Sequence, residues 1–355
     1  ASEILSGLVG SEMCIRDSPI GLINTEMIES LEFYSNGFTA KYGNRLSSYG
    51  DIVYRSGNAD KVEGNLSLGL GGAGTLVEGP IGKNSTYIFS FRRSYLDVIA
   101  GALNAGGLPS YDDIQGKITF QPNHYNTFTI LSVNGNSLYE RTKEDAINED
   151  QTNYGNRKNK QHTVGINYRK IWNQSSFSNS SISYSSQHAN GYFKDSFTGA
   201  LTSRANNDMQ SYSFRQINQT KFSNKSNVEY GFESSSKEFR YDFLLNDLSS
   251  SQSISITNTS FFSTFRYLLT SKLLVSTGLR SEWNDFEKKQ LFSPRLNAKY
   301  NMQDGVSALI YNAGRYIQNP PEIYLSIEQN RSITSVQTVQ QSLTCLLYTS
   351  DAADE

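Results

Sequence analysis

Residues with reactive or metal-ligating side chains are few and scattered. The chain holds three histidines, His124, His162 and His188, which the local pattern puts in a turn, at a strand start and at a loop edge. None has a second histidine or a carboxylate at the spacing that zinc or haem ligation needs. The two cysteines, Cys14 and Cys345, lie near opposite ends, so no disulfide framework, thiol nucleophile or thiolate metal site is expected. There is no glycine-rich phosphate loop, Gly-x-Ser-x-Gly elbow or metal motif. Asp112-Asp113 and the acids Glu144-Asp145 and Glu149-Asp150 read as solvated charge in connections. The pattern predicts no enzyme, no cofactor and no metal. What remains is charge on the polar faces of strands: Arg92, Lys117, Arg169, Glu229, Glu233, Arg280 and Glu282.

The elements that carry those charges are strands. Of 355 residues, 37% are apolar and 19% charged, yet 12% are aromatic, with 22 Tyr and 19 Phe, and so rich an aromatic content argues against disorder. A net charge of −2 gives no electrostatic case for a nucleic-acid partner. Mean hydropathy is −0.49, and no long uncharged apolar run suits a spanning helix. A membrane β-barrel stays open, because only alternate residues of its strands face lipid. From Lys61 to about Tyr316 the chain is a series of period-two segments. Tyr87, Phe89 and Phe91 alternate with Ile88, Ser90 and Arg92; Val228, Tyr230 and Phe232 alternate with Glu229, Gly231 and Glu233. One apolar and one strongly polar face predict antiparallel sheet. Residues 175–187, mostly serine, give a weak strand signal.

Connections support a barrel over a soluble sandwich. Short turns are expected near 79–84, 121–126, 172–175, 223–227, 270–272 and 301–305. Longer polar loops are expected near 94–112, 138–158, 190–208, 242–254 and 284–290. This alternation is that of outer-membrane barrels, whose short turns are periplasmic and long loops external. Trp172 and Trp283 fall at strand ends, where aromatic girdles meet headgroups. The stretch Leu96-Asp97-Val98-Ile99-Ala100-Gly101-Ala102-Leu103 is expected to fold over the barrel mouth or to pack as a helix on neighbouring loops.

The ends differ from the interior. Residues 11–18 and 345–355 resemble translated sequencing-adaptor sequence, so 1–18 and 344–355 are set aside as non-native. A secretory signal fits the N-terminus poorly, since its apolar core is short and no basic region precedes it.

Residues 19–60 form a separate unit, with a capped turn after Asn24, a strand over 28–34 and a second near 51–55. The run Ile28-Glu29-Ser30-Leu31-Glu32-Phe33-Tyr34-Ser35-Asn36-Gly37-Phe38-Thr39-Ala40-Lys41-Tyr42-Gly43 resembles the end of the plug domain of TonB-dependent outer-membrane receptors. Glu78-Gly79-Pro80-Ile81 resembles a periplasmic turn of that family, and Ser90-Phe91-Arg92-Arg93-Ser94-Tyr95-Leu96-Asp97 the end of its third strand. Phe292-Ser293-Pro294-Arg295-Leu296 with Tyr311-Asn312-Ala313-Gly314-Arg315-Tyr316 resembles a mid-barrel strand pair. The flavour of these motifs is similar to receptors of Bacteroidota.

The resemblance implies an all-β fold: an antiparallel transmembrane β-barrel, about 13 of roughly 22 strands, preceded by the C-terminal piece of a plug. Residues 19–60 would be plug and 61–343 barrel, a piece of a longer receptor. It implies energised import of a scarce ligand (siderophore, glycan, vitamin or peptide) across the outer membrane of a Gram-negative bacterium. Its partners would be the inner-membrane TonB complex, outer-membrane lipid, the ligand and a surface lipoprotein. Arg45, Glu78 and Arg92 are the expected plug–barrel contacts. A plugless porin and a secreted β-rich adhesin are the alternatives.

Overall fold

Period-two alternation leaves each segment with one face for an apolar surrounding and one for a polar interior, and such segments are stable only when paired side by side. The computed structural model describes residues 22–347 except 36, 70–71, 97–108, 247, 303, 305, 326 and 331. Two strands, β1 (Ile28–Tyr34) and β2 (Tyr49–Tyr54), pair antiparallel in a small sheet. The rest build one fourteen-stranded antiparallel sheet in sequence order. Its first half comprises β3 (Glu63–Gly69), β4 (Gly72–Pro80), β5 (Ser85–Ser94), β6 (Ser110–Asn123), β7 (Asn126–Arg141), β8 (Asn153–Asn173) and β9 (Ser176–Asp195). The second comprises β10 (Leu201–Ser223), β11 (Ser226–Leu245), β12 (Leu248–Leu268), β13 (Leu273–Asn284), β14 (Lys289–Asn301), β15 (Ser307–Gln318) and β16 (Val336–Leu347). Every step is to the next strand, with β3 and β16 as edges.

Burial follows the alternation. Leu131, Val133, Thr163, Asn167, Arg215 and Arg280 are buried on the concave face, while Ile130, Ile166, Ile182, Tyr212, Phe214 and Leu279 are exposed on the outer face. Aromatics run in rows across the outer face, Phe128 stacking on Tyr168 at 4.5 Å and Phe232 meeting Phe261 at 4.9 Å. Trp172 is exposed near the end of β8, and Trp283 near the opposite end of β13.

Several sequence expectations change or sharpen. The polar segments 190–208 and 242–254 are mostly strand and 138–158 is strand at both ends, so that β8 to β12 run 21, 20, 23, 20 and 21 residues. A tilted membrane strand needs only about 9–11. Beyond the lipid both faces meet water, so the hydrophobic alternation vanishes while backbone pairing continues. The serine-rich stretch 175–187, which gave only a weak strand signal, is from Ser176 onward the first part of an unbroken β9. Finally, Asp112 and Asp113 lie inside β6, not in a loop, and the described residues hold fourteen wall strands where about thirteen were expected.

Glu144 and Asp145 belong to a short helix (Lys143–Asn148), whose capping box joins Thr142 to Asp145. The apolar stretch 96–103 lies, beyond Leu96, outside the described residues, as do 1–18 and 348–355. The ladder runs into the segment set aside at the C-terminus, Cys345 facing Leu309.

Candidate functional site

A broad polar surface that the fold encloses lies between the N-terminal segment 22–60 and the concave face of the wall. Two zones hold that segment. In the first, Met27, Ile52 and Tyr54 pack with Leu76, Ile88, Leu131 and Val133, apolar residues on the inner faces of β4, β5 and β7. Polar contacts surround this core. Asn24 caps the turn Thr25–Met27 and donates to Ser90 Oγ at 2.5 Å. The Tyr54 hydroxyl donates to Gln115 Oε1 at 2.9 Å, and Lys117 Nζ donates to the Tyr54 carbonyl. Arg55 forks onto Glu78 with bonds of 2.6 and 2.7 Å, and the Asn58 amide adds a third at 2.9 Å. That fork raises the Arg55 pKa, chiefly through the Glu78 hydrogen bond.

The second zone is a clamp of arginines on bare backbone. Arg215 Nη2 donates to the Lys41 carbonyl at 2.8 Å, and Arg280 Nη1 to the same oxygen at 3.3 Å. Arg295 Nη1 donates to the carbonyls of Phe38, at 3.1 Å, and Thr39. Each guanidinium comes from a different strand: β10, β13 and β14. Arg280 also holds Glu282 at 2.7 Å, Glu233 at 3.2 Å and Ser260 Oγ at 2.6 Å. The Arg295 guanidinium sits 4.8 Å from the rings of both Phe38 and Tyr316. Planar, delocalised arginine suits this double duty of stacking and bonding.

The loop presents its carbonyls because it is not strand. Ala40 packs on Ile217 and Phe262, and Phe38, Tyr42, Tyr49 and Tyr316 form an aromatic cluster. A Cβ on Gly43 would collide with the Arg280 side chain. The Tyr42 hydroxyl donates to Asp51 at 2.5 Å; burial, with Asp51 adding, pushes its pKa far above the usual phenol range. Between this loop and the wall lies a cavity of about 110 Å³ lined by Arg215, Glu233, Lys237, Ser183, Ser213 and Ser235. That is room for several waters, since one needs roughly 10–15 Å³ of such volume.

The structure brings Glu78 to the segment through Arg55. Arg92 takes its carboxylate, Asp113 at 2.9 Å, from the neighbouring strand, and meets the segment at the Leu22 carbonyl, 3.0 Å away. Arg45 bonds the Asn44 carbonyl at 2.7 Å. Sequence reasoning missed the clamp. Its signal was visible: Arg215, Arg280 and Arg295 each follow an apolar residue, Phe214, Leu279 and Pro294, but the partners are carbonyls, which no motif marks. His188 meets Asp208 across the β9–β10 ladder at 2.5 Å, a pairing that sequence spacing hides. Among the described residues no group of three or more metal-ligating side chains forms.

A multi-stranded antiparallel wall, aromatic outside and ionic inside, with a small unit held on its concave face, defines the class of plugged outer-membrane barrels. A family model described as TonB dependent receptor-like, beta-barrel matches residues 90–340, and the chain belongs to that family. Its place is the outer membrane of a Gram-negative bacterium. Solved structures share the fold. The siderophore receptor PirA from Acinetobacter baumannii aligns with a TM-score of 0.71 at 14% identity, over 93% of this chain and 56% of that one. A variant of the ferric enterobactin receptor PfeA from Pseudomonas aeruginosa, in complex with enterobactin, gives 0.70 at 15%, over 94% and 59%. The copper transporter OprC gives 0.72 at 12%, over 94% and 59%. The chain thus spans a little over half the length of these receptors. No curated protein matches it.

Proposed function

We propose that the chain forms the plug–barrel junction of a receptor that imports a scarce ligand by energised rearrangement of the plug, without covalent chemistry. Residues 19–60 are the end of the plug and 61–343 belong to the barrel. The observation that carries this reading is the arginine clamp on residues 38–41. It grips through replaceable hydrogen bonds to carbonyls, each worth about 1.5–3 kcal/mol to a charged donor. A large apolar interface would resist a pull far more stubbornly. Arg55, Glu78 and Arg92 fasten the opposite side, and Arg45 lies in the loop between.

The siderophore and copper receptors among its structural neighbours favour a metal chelate as ligand; glycans, vitamins and peptides are other candidates. TonB would supply the pull, with a surface lipoprotein as a further candidate partner. The test uses cells carrying the whole receptor, with and without TonB, fed ferric enterobactin, copper chelates and oligosaccharides. Uptake of at least one that requires TonB, and that stops when Ala40→Cys and Ile217→Cys are oxidised to a tether and resumes on reduction, is the expected result. Uptake indifferent to both TonB and the tether would make the barrel a porin.

A further inference from the structure

The serine-rich stretch of β9 supplies no arginine to the clamp, yet its inward residues line the cavity beside the clamped loop. Ser183 and Ser185 face Ser213 and Ser211 on β10, which in turn face Ser235 and Lys237 on β11. All six border the cavity, and the Ser183 and Ser213 hydroxyls share a hydrogen bond of 2.6 Å. Serine is the smallest hydroxyl side chain, and it both donates and accepts. This part of the wall therefore offers space and exchangeable hydrogen bonds, where Ile88, Leu131 and Val133 offer apolar packing to the other end of the segment.

The connection between β15 and β16 closes the cavity on its outer side. Residues 319–335 leave Gln318 on the long-loop side of the sheet and pass through Pro320-Pro321 into one helical turn, Glu322–Leu325, whose Leu325 is buried. Lys237 Nζ donates to Glu322 Oε1 at 2.9 Å, and Asn319 Nδ2 to Asn258 Oδ1 on β12 at 2.9 Å. The Asn319 backbone N–H donates to Asn44 Oδ1 at 2.7 Å. Asn44 lies three residues after Lys41, whose carbonyl Arg215 and Arg280 hold, and it turns the chain with a φ of 55°. One side chain thus joins the outer cover to the clamped loop.

We propose that the serine-lined cavity is a transit compartment for the imported ligand, closed outside by residues 319–335 and inside by the clamped loop, with Asn44 passing movement of one cover to the other. An oxygen-rich, hydrophilic solute suits it, because hydroxyl walls trade hydrogen bonds with such a solute as they do with water. An apolar solute would leave those hydroxyls unpaired. Passage runs along β9, β10 and β11, while the apolar packing on β4, β5 and β7 keeps the other end of the segment in place. The inference rests on the import reading and names the route within it.

The test uses cells carrying the whole receptor, with and without TonB, in a background lacking other thiols. A charged, membrane-impermeant thiosulfonate is applied from outside. Ser213→Cys, on the cavity wall, should be labelled about tenfold faster with TonB than without it. Labelling should stop uptake until a reductant removes the label. Ser90→Cys, inward on β5 at the apolar end of the segment, should stay unlabelled in both strains. Asn44→Gly, which keeps the left-handed turn and drops the side chain, should abolish the effect of TonB on the labelling of Ser213→Cys. The proposal is overturned by labelling at Ser213→Cys that ignores TonB in the presence of Asn44, by a TonB effect that survives Asn44→Gly, or by faster labelling at Ser90→Cys. Uptake of ferric enterobactin, copper chelates and oligosaccharides is followed in the same cells. TonB-dependent uptake that persists through the labelled cavity refutes the route and leaves import standing, whereas unlabelled receptor whose uptake ignores TonB refutes both.

Discussion

At the residue scale, the junction depends on buried charges whose partners lie on other elements. Arg280 is 4% exposed and sits between Glu233 and Glu282 while holding the Lys41 carbonyl. Arg280→Met would leave two carboxylates facing each other without their cation. Breaking such a group from one side costs about 3–5 kcal/mol, so the whole receptor should lose its heat-resistant migration at a lower temperature, whereas Arg169→Met should change little.

Tyr42 gives a pH signature. Its folded pKa lies above the ordinary value of 10.0, first because it is buried and then because Asp51 is beside it. A group raised on folding contributes stability that is full below its unfolded pKa and declines as pH rises past it. Wild type should therefore lose stability above about pH 10. Tyr42→Phe should start less stable by about 1 kcal/mol and decline less steeply. Parallel alkaline melting curves for the two proteins would refute the assignment.

At the element scale, the N-terminal segment fits the wall through backbone as much as through side chains. A Cβ on Gly57 would run into the main-chain carbonyl of Tyr87 in β5, which cannot turn aside, whereas a Cβ on Gly50 would meet nothing within 4 Å. Gly57→Ala should loosen the segment, with overpacking costs of about 1–3 kcal/mol. Limited proteolysis would then cut within residues 22–60 faster than in wild type, while Gly50→Ala should be cut at the wild-type rate.

The long strands make a second claim at this scale. Residues 190–194 are paired on both sides, to β8 and β10, so their amides should exchange slowly with solvent deuterium, comparably to 177–189. Fast exchange beginning at residue 190 would restore the polar loop near 190–208 that the sequence suggested.

At the scale of the whole molecule, the described sheet has two unpaired edges, β3 and β16. A strand edge in lipid leaves backbone groups without partners, each costing several kcal/mol. The 355-residue chain refolded alone with vesicles should therefore fail to give a heat-modifiable, protease-resistant monomer, whereas a receptor of its neighbours' full length should give one. A stable inserted monomer from this chain alone would mean that its edges meet or are covered.

The sequence by itself determined the strand chemistry and the side each residue faces, because a two-residue period is a local property of the backbone. It also carried, through four ordered motifs, the resemblance that the family match upholds. The tertiary structure decided the partners. Arg92 finds Asp113 only through the β5–β6 register, His188 finds Asp208 only through the β9–β10 register, and Arg215, Arg280 and Arg295 converge on residues 38–41 from positions 174 to 257 residues away. Strands beyond the membrane were illegible for a related reason. Where water lies on both faces, no side-chain pattern is imposed, and only pairing between neighbouring backbones keeps the chain extended.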